Sequence, residues 1–135
     1  MIKIIIITHG NLGKEVLLTA ESIVGKQENV LVLSMGSNSL NNVCIQTEEI
    51  LKDVDPLQGA LILTDMLGGT PCNAALPYSD KYNVEIVSGI NLYMLLSSFM
   101  HRADLSVNEL SQKVIQDGRK NIANAKEIFL KNLNK

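Results

Sequence analysis

Few side chains in this sequence are equipped for chemistry, and most of those stand just after apolar runs. His9, with Gly10 behind it, follows the run from Lys3 to Thr8; Asp65 follows the run from Ala60 to Thr64, and Gly68-Gly69-Thr70-Pro71 comes directly afterwards. A histidine closing a buried strand is more often structural, with both ring nitrogens satisfied. Here a glycine beside it permits a tight turn and close approach by a partner. A carboxylate ending a neighbouring strand would hold one imidazole N–H, fix the tautomer and leave the other nitrogen nucleophilic. The bland reading of Asp65 is a turn or helix cap. The Gly68–Thr70 stretch, lying between a strand and a helix, offers backbone amides to an anion such as phosphate. A glycine and a cap are needed at any such turn, and the stretch is no nucleotide P-loop, because it lacks the GxxxxGK[ST] pattern and a lysine. A nucleophilic histidine, an orienting carboxylate and an anion site without a metal point to transient phosphorylation on nitrogen.

These residues need elements to bring them together. Four short runs rich in aliphatic residues read as strands: Lys3 to Thr8, Asn29 to Ser34, Ala60 to Thr64 and Val84 to Ser88. The first and third are continuously apolar, as expected of central parallel strands covered on both faces. Helical periodicity fills the gaps: Leu12 to Val24, stopped by a left-handed cap at Gly25; Leu40 to Val54; a helix opening at Thr70-Pro71 with Thr70 as N-cap and Pro77 shortening it; Asn91 to Met100; and a helix whose capping box is Ser106 with Glu109. Alternating strands and helices predict an α/β fold: a doubly wound open sheet of four mainly parallel strands with helices on both faces. In such a sheet ligands bind beyond the carboxyl ends of the strands where the strand order reverses. The segments Thr8-His9-Gly10, Ser34-Met35-Gly36, Thr64-Asp65 and Ser88-Gly89 would then meet at one edge.

The remaining reactive types read as structure. Cys44 falls on the apolar stripe of its helix, and Cys72 in a first helical turn is a small buried residue rather than an activated thiol. His101, beside Arg102 at a helix end, reads as surface structure, since a positive charge suits a helix C-terminus. The cysteines have no CxxC spacing and no histidine nearby, so free thiols, no metal and no cofactor are expected. The 135 residues set an expectation of one domain spanning 1–135. With 46% hydrophobic and 19% charged residues the chain is of ordinary globular type. A net charge of −2 provides no basic excess for nucleic acid. The first apolar run is far short of the roughly 18 residues of a membrane span and has no positive leader, so neither insertion nor export is expected and the cytoplasm is the default location.

Three blocks resemble the mannose-family enzyme IIA of the phosphoenolpyruvate-dependent sugar phosphotransferase system: Ile4 to His9-Gly10, Leu63-Thr64-Asp65-Met66-Leu67-Gly68-Gly69-Thr70-Pro71-Cys72-Asn73-Ala74-Ala75, and Val87-Ser88-Gly89-Ile90-Asn91-Leu92-Tyr93-Met94-Leu95. The resemblance runs from residue 1 to about 125, and the second block is its most specific part. It implies that His9 is the phosphoacceptor, charged by the histidine-containing phosphocarrier protein and discharged onto the IIB component of a sugar permease. It implies that Asp65 orients His9, and that Gly68, Gly69 and Thr70 hold the phosphoryl group. IIB would be a separate polypeptide. The resemblance also implies that the sugar is bound by the membrane components of the permease and not by this chain.

Three alternatives compete. A related domain donates phosphate to dihydroxyacetone kinase by the same chemistry. The histidine phosphatases also place His-Gly after a first strand, but with an arginine where this chain has Thr8. A metabolite-sensing module would carry an inert His9. Met35, Met66 and Leu67 are expected to form an adaptable contact patch for partners, unless they pack inward. The resemblance further implies a homodimer joined by a short antiparallel C-terminal strand, Asn121 to Ala125, exchanged between sheets. The competing reading continues Arg119 to Leu133 as a surface helix.

Overall fold

The computed structural model describes residues 1–36 and 40–134. Four strands, β1 (Lys3–Thr8), β2 (Val30–Ser34), β3 (Ala60–Thr64) and β4 (Val84–Val87), form one sheet in the order β2-β1-β3-β4, and every pairing is parallel. Between and after them run α1 (Leu12–Val24), α2 (Leu40–Lys52), α3 (Thr70–Ala75), α4 (Leu92–His101), α5 (Val107–Lys120) and α6 (Ala125–Leu133). The expected α/β architecture is therefore present, with each strand within a residue of its anticipated bounds.

The continuous apolar runs are explained by burial on both faces. Ile4, Ile6, Leu61 and Leu63 enter one core with Met94, Leu95, Leu110 and Val114, whereas Ile5, Ile7, Ala60 and Ile62 enter the other with Val43, Leu51, Ala74 and Ala75. Alternate residues of a strand face opposite sides, so a strand with a core on each side has no solvent face on which to place a polar residue.

Helix ends follow local rules with two departures. Ser106 accepts from the Glu109 N–H at 3.2 Å while the Glu109 side chain accepts from the Ser106 N–H at 3.0 Å, the expected capping box. Pro77 lies in a 3-10 turn, Leu76–Tyr78, that ends α3. Thr70, however, is the first helical residue and Gly69 is the N-cap. Gly25 has a φ of 89° but a ψ of 166°, so it closes α1 outside the left-handed helical region, its N–H still donating to the Glu21 carbonyl at 2.9 Å.

The C-terminal segment departs from the strand reading within a single chain: Asn121 caps α5, 122–124 pair with no strand, and α6 begins at Ala125. No residue of α6 is buried, and Ile122, Ile128, Phe129, Leu130 and Leu133 are all exposed. No helix among the described residues is long and apolar enough to cross a membrane.

Candidate functional site

The strand order reverses between β1 and β3, since the chain leaves β1 for β2 on one side and β3 lies on the other. His9 and Asp65 are the first residues beyond these two strands. The parallel register pairing Ile7 with Thr64 sets their ends side by side.

His9 Nδ1 and Asp65 Oδ2 are 2.7 Å apart, and the same oxygen accepts the His9 backbone N–H at 2.9 Å. The other oxygen, Oδ1, accepts the Met66 N–H at 3.1 Å. An ionised carboxylate only accepts hydrogen bonds, so Nδ1 carries a proton and Nε2 is the basic nitrogen of the neutral ring. The His9 side chain is 52% exposed against 11% for Asp65. The acceptor is thus covered while the ring remains open to a reagent presented from outside. Burial works to raise the Asp65 carboxyl, but the hydrogen bonds from the His9 backbone and ring, together with the charge of the ring when it is protonated, outweigh it and hold the group below its ordinary 3.8.

The glycine loop closes against this pair. A Cβ on Gly69 would lie 3.5 Å from His9 Cε1 and 2.7 Å from Met66 Cγ, so a side chain there displaces Met66. Gly68 adopts a φ of 76°, which glycine tolerates and bulkier residues do not. The Gly69 N–H donates to the Met66 carbonyl at 3.2 Å and is thereby engaged in the turn itself. Thr70 is exposed, and no described residue bonds its hydroxyl.

Two supporting side chains went unassigned in the sequence reading. Thr8 Oγ1 accepts the Gly13 N–H at 2.8 Å, capping α1 from the strand because Asn11 makes no side-chain cap. Ser34 Oγ donates to the Gly10 carbonyl at 2.7 Å. Both belong to strand-end segments singled out above, and position at the sheet edge was the signal available for finding them.

The other expectations sort by burial. Met66 and Leu67 are 56% and 81% exposed beside His9, but Met35 packs against the core beneath the sheet, so the anticipated patch loses that member. Cys72 is buried and Cys44 is partly buried, its thiol donating to the Ala74 carbonyl at 3.5 Å; both are free thiols. His101 ends α4 at the opposite edge of the sheet. Its neighbour Arg102 is buried there rather than at the surface, bonding the Ile2 and Asn29 carbonyls at 3.3 and 3.2 Å. Among the described residues no group of three or more His, Cys, Asp or Glu is placed to hold a metal ion.

Comparison with known proteins bears directly on this arrangement. The family model described as the PTS system fructose IIA component matches residues 3–115. The PTS system mannose-specific EIIAB component of Escherichia coli K12 is 35% identical over 125 residues, covering 90% of this chain and 38% of that protein. The chain therefore spans well under half the length of that relative. The PTS system fructose-specific EIIA component of Bacillus subtilis is 27% identical over 112 residues, covering 82% of this chain and 77% of that one. Among solved structures, phosphotransferase system component EIIA from Streptococcus agalactiae superposes with a TM-score of 0.87 at 34% identity, over 94% of this chain and 99% of that chain. A mannose/sorbose specific IIA subunit from Enterococcus faecalis superposes at 0.83 and 28%, over 91% and 93%. With the histidine–carboxylate pair at the sheet's switch point and sequence matches over most of its length, the chain belongs to the mannose/fructose family of IIA components of the sugar phosphotransferase system.

Proposed function

We propose that this chain is a phosphoryl carrier in sugar uptake, working in the cytoplasm as a single IIA-type domain with His9 as its phosphohistidine. The observation that carries the reading is the 2.7 Å contact from Nδ1 to a covered carboxylate, which leaves Nε2 of a half-exposed ring as the nucleophile. The Nε2 lone pair attacks phosphorus on the phosphohistidine of the histidine-containing phosphocarrier protein. A new N–P bond forms as the donor's N–P bond breaks. The proton on Nδ1 stays shared with Asp65, whose negative charge stabilises the positive charge developing on the ring. Transfer to the IIB component of a permease is the same step in reverse, with a nucleophile on IIB displacing His9.

Gly68 lets the loop turn at a positive φ, Gly69 lets it approach the ring without a side chain between, and Thr70 supplies a hydroxyl donor to the phosphoryl oxygens. Met66 and Leu67 form part of the surface on which both partners dock. A homodimer joined through the C-terminal segment, by exchange of Asn121 to Ala125, would cover apolar residues that are exposed in one chain, Ile122 among them.

The test is incubation with phosphoenolpyruvate, enzyme I and the phosphocarrier protein, followed by mass spectrometry of the intact chain. One acid-labile, alkali-stable phosphoryl group is expected, absent from His9→Ala and retained in His101→Ala. Asp65→Ala is expected to fold and to transfer at least about 10²-fold more slowly, by analogy with the orienting carboxylate of a catalytic triad. Label persisting in His9→Ala, or a wild-type chain that takes no phosphoryl group, rejects the reading. The latter result is the one a sensing module would give, and transfer to dihydroxyacetone kinase instead of IIB would reassign the acceptor.

A further inference from the structure

The peptide that carries His9 is gripped from the exit of β2 as well as by Asp65. Register pairs Thr8 with Ser34, so β1 and β2 end together. Just past that rung the Met35 N–H donates to the Thr8 carbonyl at 2.9 Å, immediately before His9, and Ser34 Oγ donates to the Gly10 carbonyl at 2.7 Å, immediately after it. The same hydroxyl accepts the Gly36 N–H at 3.2 Å. Gly10 has a φ of 51°, a left-handed conformation that takes its carbonyl out of the β1 ladder. A Cβ on Gly36 would come within 3.8 Å of Gly10 Cα, so the segment leaving β2 lies directly against the turn.

We infer that Ser34 is a positioning residue for phosphoryl transfer at His9, clamping the Gly10 carbonyl so that the backbone is held on both sides of the His9–Gly10 peptide, by the Thr8 carbonyl before it and the Gly10 carbonyl after it. The inference rests on the reading of His9 as the phosphoacceptor. Asp65 holds the ring and the His9 N–H, but neither bond restrains the peptide that follows. Without the Ser34 hydroxyl the Gly10 carbonyl is released, the His9–Gly10 peptide can rotate about a glycine, the residue least able to resist, and the line from Nε2 to the incoming phosphorus is lost for part of the time. Ser34 touches no reacting atom in this arrangement. Its effect belongs to the transfer step within the docked complex, not to docking.

The test compares full-length wild type, Ser34→Ala and Ser34→Thr, loaded from phosphoenolpyruvate through enzyme I at increasing concentrations of phosphocarrier protein. Ser34→Ala is expected to lower the saturated loading rate about 5- to 10-fold, the effect of a small misplacement of a reacting group, while leaving the half-saturating concentration unchanged. Relaxation of the Gly10 backbone amide is expected to report a lowered order parameter in Ser34→Ala, and Ser34→Thr, which keeps the hydroxyl, is expected to restore both rate and order. A wild-type rate in Ser34→Ala overturns the inference while the phosphoacceptor reading stands. So does a Ser34→Thr chain as slow as Ser34→Ala with Gly10 still ordered. A wild-type chain that does not load at all overturns the phosphoacceptor reading, and the inference with it.

Discussion

A single carboxylate sets the state of His9, because one oxygen of Asp65 receives both the backbone and the ring N–H of the same residue. This pair of hydrogen bonds to one acceptor fixes where the histidine sits as well as which nitrogen bears the proton. It also has a consequence for stability. A carboxyl held below its ordinary 3.8 stabilises the fold fully above that value, and the contribution drains away as pH falls through the lowered folded value. In chemical denaturation at a series of pH values, the advantage of wild type over Asp65→Asn is therefore expected to be present at about pH 5 and to shrink as the pH drops below 3.8. A difference independent of pH over this interval would show that the ionised carboxylate contributes nothing.

Helix α1 illustrates how an element reaches the site. It packs so closely on the sheet that a Cβ on Gly13 would lie 2.8 Å from Ile6 Cγ2, 3.0 Å from Thr8 Oγ1 and 3.1 Å from Val32 Cγ1. Glycine within a helix ordinarily costs about 1 kcal/mol relative to alanine. At this position the steric term reverses the sign. Gly13→Ala is expected to destabilise by roughly 1–3 kcal/mol in urea denaturation, as overpacking does elsewhere, and to disturb the Thr8 cap one turn from His9. A stabilised Gly13→Ala protein would mean that α1 lifts from the sheet at little cost.

At the scale of the molecule, two features lie far from the site. Arg102 gathers the Ile2, Glu28 and Asn29 carbonyls and the Gln27 side chain at 2.6 to 3.3 Å, tying the end of α4 to the start of the sheet. Burial pushes its guanidinium down from its ordinary value, the nearby Glu28 carboxylate only opposing this. Several bonds from a charged donor are lost together in Arg102→Ala, and a loss on the order of 3 kcal/mol in unfolding free energy is expected. An unchanged unfolding midpoint would reduce the cluster to a surface contact. The second feature is the uncovered C-terminal segment. If it joins two copies, light scattering will find a dimer for the full chain and a monomer for a version ending at Lys120, where α5 stops. A full-length monomer rejects the dimer, and a truncated dimer rejects the segment as its cause.

What the sequence determined by itself is what short-range physics controls. Continuous isoleucine and leucine runs reveal strands buried on both faces, Ser106 and Glu109 announce a helix start, and Pro77 announces a helix end, because each depends on neighbours within a few residues. His9 and Asp65 were legible as well, since both close such runs and parallel strands of a doubly wound sheet end at a common edge. What tertiary structure alone decided is where distant backbone groups meet. The Gly69 N–H is used within its own turn, Ser34 reaches the Gly10 carbonyl, Met35 turns toward the core, and Arg102 reaches a carbonyl 100 residues away. The C-terminal segment shows the same limit: Ile122 with its small and polar neighbours reads as either strand or helix, and within one chain the backbone turns after α5 and resumes as a helix from Ala125. Local propensity there is nearly balanced, and because no residue of α6 is buried, packing within one chain does little to tip it.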